Sequence, residues 1–281
     1  MNSIPNFSHL VKPLTKNSVV RFQNVIWDYY RHNKRSFPWR ETTNPYFIMV
    51  SEAMLQQTQT KRVGEYYRKF IDKFPTVESL ATATLREILT VWQGLGYNRR
   101  AKFLHNAAQK VVADFDGLIP ATLSDLEDLP GIGPNTAGAI LAYAYNQPTA
   151  FIETNIRSVF LYLFFRNTDA VSDSELLSII DQTLDKNNPR DWYYALTDYG
   201  VFIKSQTKNP SRKSKHYTKQ SKFEGSDRQL RAKIISMILN NGPSAQKEFY
   251  ALNQSKQRID TILDELRSEK LIRKSGTTFS I

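Results

Sequence analysis

Apolar residues recur at helical spacing along most of the chain. The pattern predicts helices over 19–33, 46–59, 62–74, 77–83, 85–93 and 99–115, then over 122–129, 135–145, 172–184 and 192–203. Residues 1–18 carry Pro5 and Pro13 with little periodicity and read as a tail or strap. Residues 36–45 form a loop with two prolines and Trp39, and Gly94 and Gly96 interrupt the pattern again. The 172–184 stretch starts like a capped helix, with Ser174 before Glu175. No strand-like alternation precedes the C-terminal end. There, 228–239 reads as a helix, 240–243 as a turn, 244–250 as a short helix and 255–269 as a longer one. Residues 271–274 and 277–281 read as two strands about a tight turn. The expected fold class is mainly α.

One stretch organises the rest: LPGIGPNTAGAILAYAYNQPTAFIETNIR, residues 129–157. Gly131 and Gly133 make a tight turn open to positive φ. Pro134 suits a first helical position. The small residues Ala137, Gly138 and Ala139 let another helix pack close. Glu153 follows, then Asn155, a good residue to start the next helix. Backbone N–H groups at a turn opening a helix make a natural phosphate site.

The chain resembles the helix-hairpin-helix DNA glycosylases, the superfamily of endonuclease III and the adenine-specific mismatch glycosylases. The resemblance covers roughly residues 37–200 and rests on blocks in the family's order: PWR (38–40), NPYFIMVSEAMLQQTQTKRV (44–63), GLGYNRRAKFLH (94–105), LPGIGPNTAGAI and ETNIR. It is strongest to the adenine-specific branch. It implies a two-lobed helix-hairpin-helix glycosylase fold, and the terminal helices and hairpin resemble a winged-helix domain. The resulting division is an N-terminal helix and strap (1–42), a six-helix barrel lobe with the hairpin (43–147), a second helical lobe (148–224) and a winged-helix-like domain (225–281). In that last domain Lys256, Gln257 and Arg258 could meet DNA, or the unit could serve only packing.

Composition narrows this picture. A net charge of +11 favours a polyanionic partner, nucleic acid or an anionic membrane surface. With 41% hydrophobic residues the chain can bury a proper core. There is no cysteine, which excludes disulfides, thiolate metal sites and cysteine catalysis. The N-terminus lacks the basic start and apolar core of a signal peptide, and no apolar run approaches the ~20 residues that cross a bilayer. A monomeric, cytoplasmic, nucleoid-associated protein of bacterial type is expected. The histidines are scattered without metal spacing, and His105 reads as structural.

Relatives usually ligate an iron–sulfur cluster with Cys-x6-Cys-x2-Cys-x5-Cys near here. Aligned after Asp198-Tyr199-Gly200, those positions hold Lys204, Ser211, Ser214 and Gln220. A clusterless loop over 204–222 is expected, ordered by hydrogen bonds and packing. It carries Lys204, Arg212, Lys213 and Lys215, and no acid. Phosphate contact is one reading and a solvated basic linker the other. No cofactor is expected, save a possible alkali cation at the hairpin.

Cleaving an N-glycosidic bond leaves positive charge on the sugar and negative charge on the base. An ionised carboxylate near the sugar and a proton donor near the base serve that reaction. Glu153, where the family has aspartate, is the sugar-side candidate; a helix-capping carboxylate is the other reading. Glu52, in the uncharged run 46–60, matches the family's glutamate implicated in protonating adenine. A buried carboxylate paired with arginine is its alternative. Bifunctional relatives have a nucleophilic lysine where Asn135 stands, so a monofunctional hydrolase is expected. Gln57 and Tyr97 fall where relatives insert side chains into the base stack, although both could pack internally. Arg40, Trp39 and Gln56 are assigned to the pocket. Gly131, Ile132, Gly133 and Thr136 are assigned to a DNA phosphate.

The expected activity is release of a flipped mispaired or damaged base, first adenine in a mismatch, from double-stranded DNA. The alternatives are uracil or thymine opposite guanine, and a non-catalytic reader of damaged or bent DNA. The C-terminal domain resembling nucleotide pyrophosphohydrolases, usual in the adenine branch, has no counterpart in the chain.

Overall fold

The computed structural model describes residues 4–10 and 13–281. The chain folds as two compact units, each built from discontinuous segments. The first comprises residues 1–48, 121–127 and 132–219; the second comprises 49–120, 128–131 and 220–281. The strap expected over 1–18 lies outside the described residues at 1–3 and 11–12.

In chain order the helices are α1 (Lys16–Asn33), α2 (Pro45–Leu55), α3 (Thr60–Lys73), α4 (Val77–Thr82), α5 (Leu85–Trp92) and α6 (Arg99–Asp114). They continue as α7 (Leu123–Glu127), α8 (Pro134–Tyr145), α9 (Thr154–Phe164), α10 (Asp173–Thr183) and α11 (Pro189–Gln206). The chain then runs through α12 (Asp227–Asn241), β1 (Ser244–Ala245), α13 (Gln246–Phe249), α14 (Lys256–Ser268), β2 (Arg273–Ser275) and β3 (Thr278–Ser280). The fold is mainly helical, as its periodicity predicts.

The first unit packs α1 and α9 against α11, with α8 and α10 beside them. Phe22, Ile26 and Tyr30 form the buried stripe of α1, one residue per turn. Phe22 meets Phe160, Phe164 and Trp192 at ring centroid distances of 5.5, 5.1 and 5.8 Å. Part of the strap is pinned here. Phe7 is buried, stacks on Phe164 at 5.5 Å, and donates its N–H to the Leu163 carbonyl at 2.8 Å. Polar order inside the unit comes from Asp198. Its carboxylate accepts from Arg35 Nε at 2.6 Å and from both terminal nitrogens of Arg40 at 2.8 and 2.9 Å.

Helices of the second unit begin on sequence-encoded caps. Thr84 and Glu87 form a reciprocal capping box for α5, and Thr76 and Ser79 form one for α4. Its C-terminal part has a three-stranded antiparallel sheet of order β1-β3-β2 alongside α12, α13 and α14. In chain order this part runs helix, strand, two helices and a two-stranded hairpin. Ser226 caps α12 and Ser255 caps α14.

The elements depart from the sequence pattern at instructive places. Ser244 and Ala245, expected in a helix, instead pair with Phe279 and Thr278 of β3, a partner far along the chain that local periodicity cannot announce. The capping hydroxyl of α10 is Ser172, not Ser174. Helix α11 starts earlier, at Pro189 after the Asn188 cap, and runs later, to Gln206. Lys204 therefore sits in the last turn of a helix, not in the basic loop.

Candidate active site

The hairpin loop joins α7 to α8. Gly131 takes φ +81°, and a Cβ there would lie 2.6 Å from the Phe103 Cβ, so only glycine fits. Gly133 is different: it caps α8 at φ −97° and has nothing within 4 Å of a built Cβ. Only one of the two glycines needs the left-handed region. Both are exposed, Ile132 is buried between them, and Thr136 is half-buried in the first turn of α8. Gly138 lets the side of α8 approach Phe151, whose Cβ would be 2.8 Å from an added methyl.

Asn135 opens α8 and reaches back across the next connection. Its Oδ1 accepts from the Ile152 N–H at 2.9 Å, tying the head of α8 to the residue before Glu153. Glu153 is the N-cap of α9. The helix thus starts at Thr154, ahead of the expected Asn155. The Glu153 carboxylate is half-buried and collects several donors. Oε1 accepts from the Ile156 N–H at 2.9 Å and the Thr197 hydroxyl at 3.5 Å, and Oε2 accepts from Asn155 Nδ2 at 3.2 Å. It caps a helix, as the second sequence reading has it, and it is also held by side chains of α9 and α11. Lys204 Nζ donates to Asn155 Oδ1 at 2.9 Å. Burial pushes the Lys204 ammonium below the usual lysine range, and the Glu153 charge pulls it back up. Asn155, Thr197 and Lys204 were not singled out for this role in the sequence. Asn155 lies two residues from Glu153, which is a usable signal; Thr197 and Lys204 arrive from a distant helix.

Glu52 lies on α2, in the second unit and half-buried. Just beyond it, Arg100 organises the loop that carries Gln56 and Gln57. Its guanidinium donates to the carbonyls of Ala53 and Met54 at 2.8 Å each, to that of Gln56, and to the Thr58 hydroxyl at 2.9 Å. The same group reaches the Gly96 carbonyl at 3.3 Å, so one side chain holds both candidate wedge loops. Burial lowers its pKa to about 10, and the group is still charged at neutral pH. Gln57 and Tyr97 both take the left-handed region, at φ +55° and +48°, although neither is glycine. Gln57 is exposed. Tyr97 is half-buried between the Arg100 and Arg228 guanidiniums, 5.4 and 5.1 Å from its ring centroid, and its hydroxyl accepts from Gln220 and Arg228.

Other assigned residues do internal work. Arg40 is buried on Asp198, and Trp39 stacks on Phe37 at 5.0 Å. Lys213 donates to the Arg166 carbonyl and pairs with Asp169. Arg212 and Lys215 are exposed. The side chains at the family's cluster positions do not fit a cluster, since an ammonium, two hydroxyls and an amide offer no thiolate. Ser211 and Ser214 are buried and hydrogen-bonded instead: Ser211 to the Ser158 hydroxyl at 2.9 Å, Ser214 to Arg157 at 3.0 Å. Among the described residues no group of three or more histidines or acids is placed to hold a metal ion.

A glycine turn feeding a helix, followed by a carboxylate capping the next helix, defines a helix-hairpin-helix protein. Residues 50–181 match the family described as "HhH-GPD superfamily base excision DNA repair protein", so the chain carries a domain of that superfamily. Its relatives include the adenine DNA glycosylase of Mycolicibacterium smegmatis, 29% identical over 272 residues, which are 89% of this chain and 92% of that one. The adenine DNA glycosylase of Buchnera aphidicola (subsp. Baizongia pistaciae) is 33% identical over 66% of this chain, and the human enzyme is 33% identical over 69%. The chain spans 53% and 38% of the lengths of those two. Among solved structures, a thermostable thymine-DNA glycosylase superposes with TM-score 0.61 at 25% identity, over 70% of this chain and 92% of that one. An endonuclease III in complex with DNA shares the fold at TM-score 0.54 and 16% identity, over 67% of this chain and 86% of that one.

Proposed function

We propose that the chain is a monofunctional DNA N-glycosylase that hydrolyses the bond between a flipped-out base and its deoxyribose, first of all adenine in a mismatch. The observation that carries this reading is the Glu153 carboxylate. It is held at the start of α9 by a backbone N–H and by an amide and a hydroxyl from side chains. A fixed anion of this kind stabilises the positive charge that develops on a sugar as its base departs. Glu52 supplies the proton to the leaving base. Asn135 supports hydrolysis by water, because an amide at the head of α8 cannot form a Schiff base. The N–H groups at the exposed Gly131 and Gly133 grip a phosphate together with an alkali cation, and Gln57 and Tyr97 fill the gap left in the stack. Arg212 and Lys215 add phosphate contacts. The loop works without a cluster. The protein acts as a monomer on double-stranded DNA, at the nucleoid.

The relatives named adenine DNA glycosylase favour adenine. The thymine-DNA glycosylase neighbour favours a second reading, removal of thymine or uracil opposite guanine. The test is incubation with duplexes carrying each mismatch and detection of free base. Adenine release that disappears in E153Q is the expected result. Release only of thymine or uracil selects the second reading. Tight binding with no release from any duplex makes the protein a reader rather than an enzyme. Borohydride trapping is expected to leave no strong covalent adduct with cleaved DNA.

A further inference from the structure

Three residues of α11 at helical spacing, Thr197, Gly200 and Lys204, face the first turn of α9. Gly200 makes the approach possible. A Cβ there would lie 2.3 Å from the Asn155 carbonyl oxygen, so the two helices touch backbone to side. One turn further on, Lys204 reaches the Asn155 side chain at 2.9 Å, and one turn back Thr197 reaches Glu153. A carboxamide has one accepting and one donating end, and an ammonium can only donate. Lys204 must therefore face Oδ1. That orientation turns Nδ2 toward Glu153 Oε2, 3.2 Å away.

We propose that Lys204 is a positioning residue for the glycosidic reaction, locking the Asn155 amide so that its donor end holds Glu153. The proposal rests on the glycosylase reading. Without the ammonium the amide keeps a single anchor and is free to swing off the carboxylate. Glu153 then loses a donor on the oxygen that its own helix does not bind. The positive charge of Lys204 reaches the carboxylate through the same amide, which makes the link stronger than one between neutral groups.

The experiment compares the parent, K204M, K204R, N155A and K204M/N155A in single-turnover base release, duplex binding and thermal unfolding. K204M is expected to lower the rate about 10- to 100-fold while the Kd for DNA changes less than about threefold. K204R, which restores a charged donor, recovers most of that loss. The double variant is no slower than N155A alone, because both changes break one chain of contacts. A K204M rate within about twofold of the parent overturns the proposal, as does additivity of the two substitutions. A second readout needs no turnover. In 15N-labelled protein the Asn155 side-chain amide protons are expected to exchange slowly in the parent and fast in K204M. Unchanged exchange overturns the proposal whether or not any base is released. Absence of release from every duplex, with the exchange difference intact, overturns the glycosylase reading and leaves the positioning of Glu153 standing.

Discussion

Asp198 is 2% exposed and takes hydrogen bonds from two guanidiniums, one of which, Arg40, has a side chain only 5% exposed. Removing the anion leaves a buried cation without compensation, a change that costs about 3–5 kcal/mol. D198N is expected to lower the unfolding midpoint strongly, and chemical denaturation measures the loss. Arg100 poses a related case in the second unit, where it satisfies the carbonyls at the end of α2. His105 gives a test in pH. Its ring is buried against the Ala81 carbonyl, and burial holds its pKa below the usual 6.5. The folded state therefore binds that proton less readily than the unfolded chain. Stability from this group is complete above about pH 6.5 and is lost as pH falls through the folded value. Urea melts from pH 7.5 down to 5 are expected to show the decline, and H105Q to flatten it.

The hairpin glycines separate structure from recognition at the scale of an element. At Gly131 an added methyl meets both a positive φ and the Phe103 side chain, so G131A is expected to cost about 1–3 kcal/mol. At Gly133 the backbone is extended and the space is open, so G133A is expected to fold as the parent does. A loss of DNA affinity in G133A without a fall in melting temperature would mark that position as one where a ligand, not the protein, needs glycine. Unaltered affinity would remove the phosphate grip from Gly133. The segment after α11 makes a similar point. Its order comes from Ser158, Ser211 and Ser214, joined by short hydroxyl contacts and the Arg157–Asp173 pair. S158A strands a buried Ser211 hydroxyl and is expected to cost about 1–3 kcal/mol in a denaturant melt.

For the whole molecule, the net charge of +11 would make the proposed DNA binding a matter of counterion release. Exposed Arg212 and Lys215 are expected to contribute to the salt slope, while Lys213, committed to Arg166 and Asp169, is not. Replacing Arg212 and Lys215 together by alanine would reduce the slope of log K against log salt by about 2; replacing Lys213 would lower stability and leave the slope alone. No helix among the described residues is long and apolar enough to cross a membrane.

Much of this is legible in the sequence alone. Helical periodicity, capping residues such as Thr84 and Glu87, and the Leu-Pro-Gly-Ile-Gly turn are local, and local chemistry acts between neighbours in sequence. The linear chain thus determined a mainly helical protein, the hairpin, a carboxylate at 153 beside the start of a helix, and a cysteine-free loop. It could not announce that Ser244 would pair with Phe279, that Asp198 would hold Arg35 and Arg40, or that Lys204 would turn from the loop toward Asn155. Those decisions belong to packing. Each joins residues tens to well over a hundred positions apart, and each depends on how closely two elements approach, as Gly200 permits for α9 and α11. A pattern along the chain records which faces are apolar; only the folded interior settles which polar group meets which, because burial leaves each donor a single place to go.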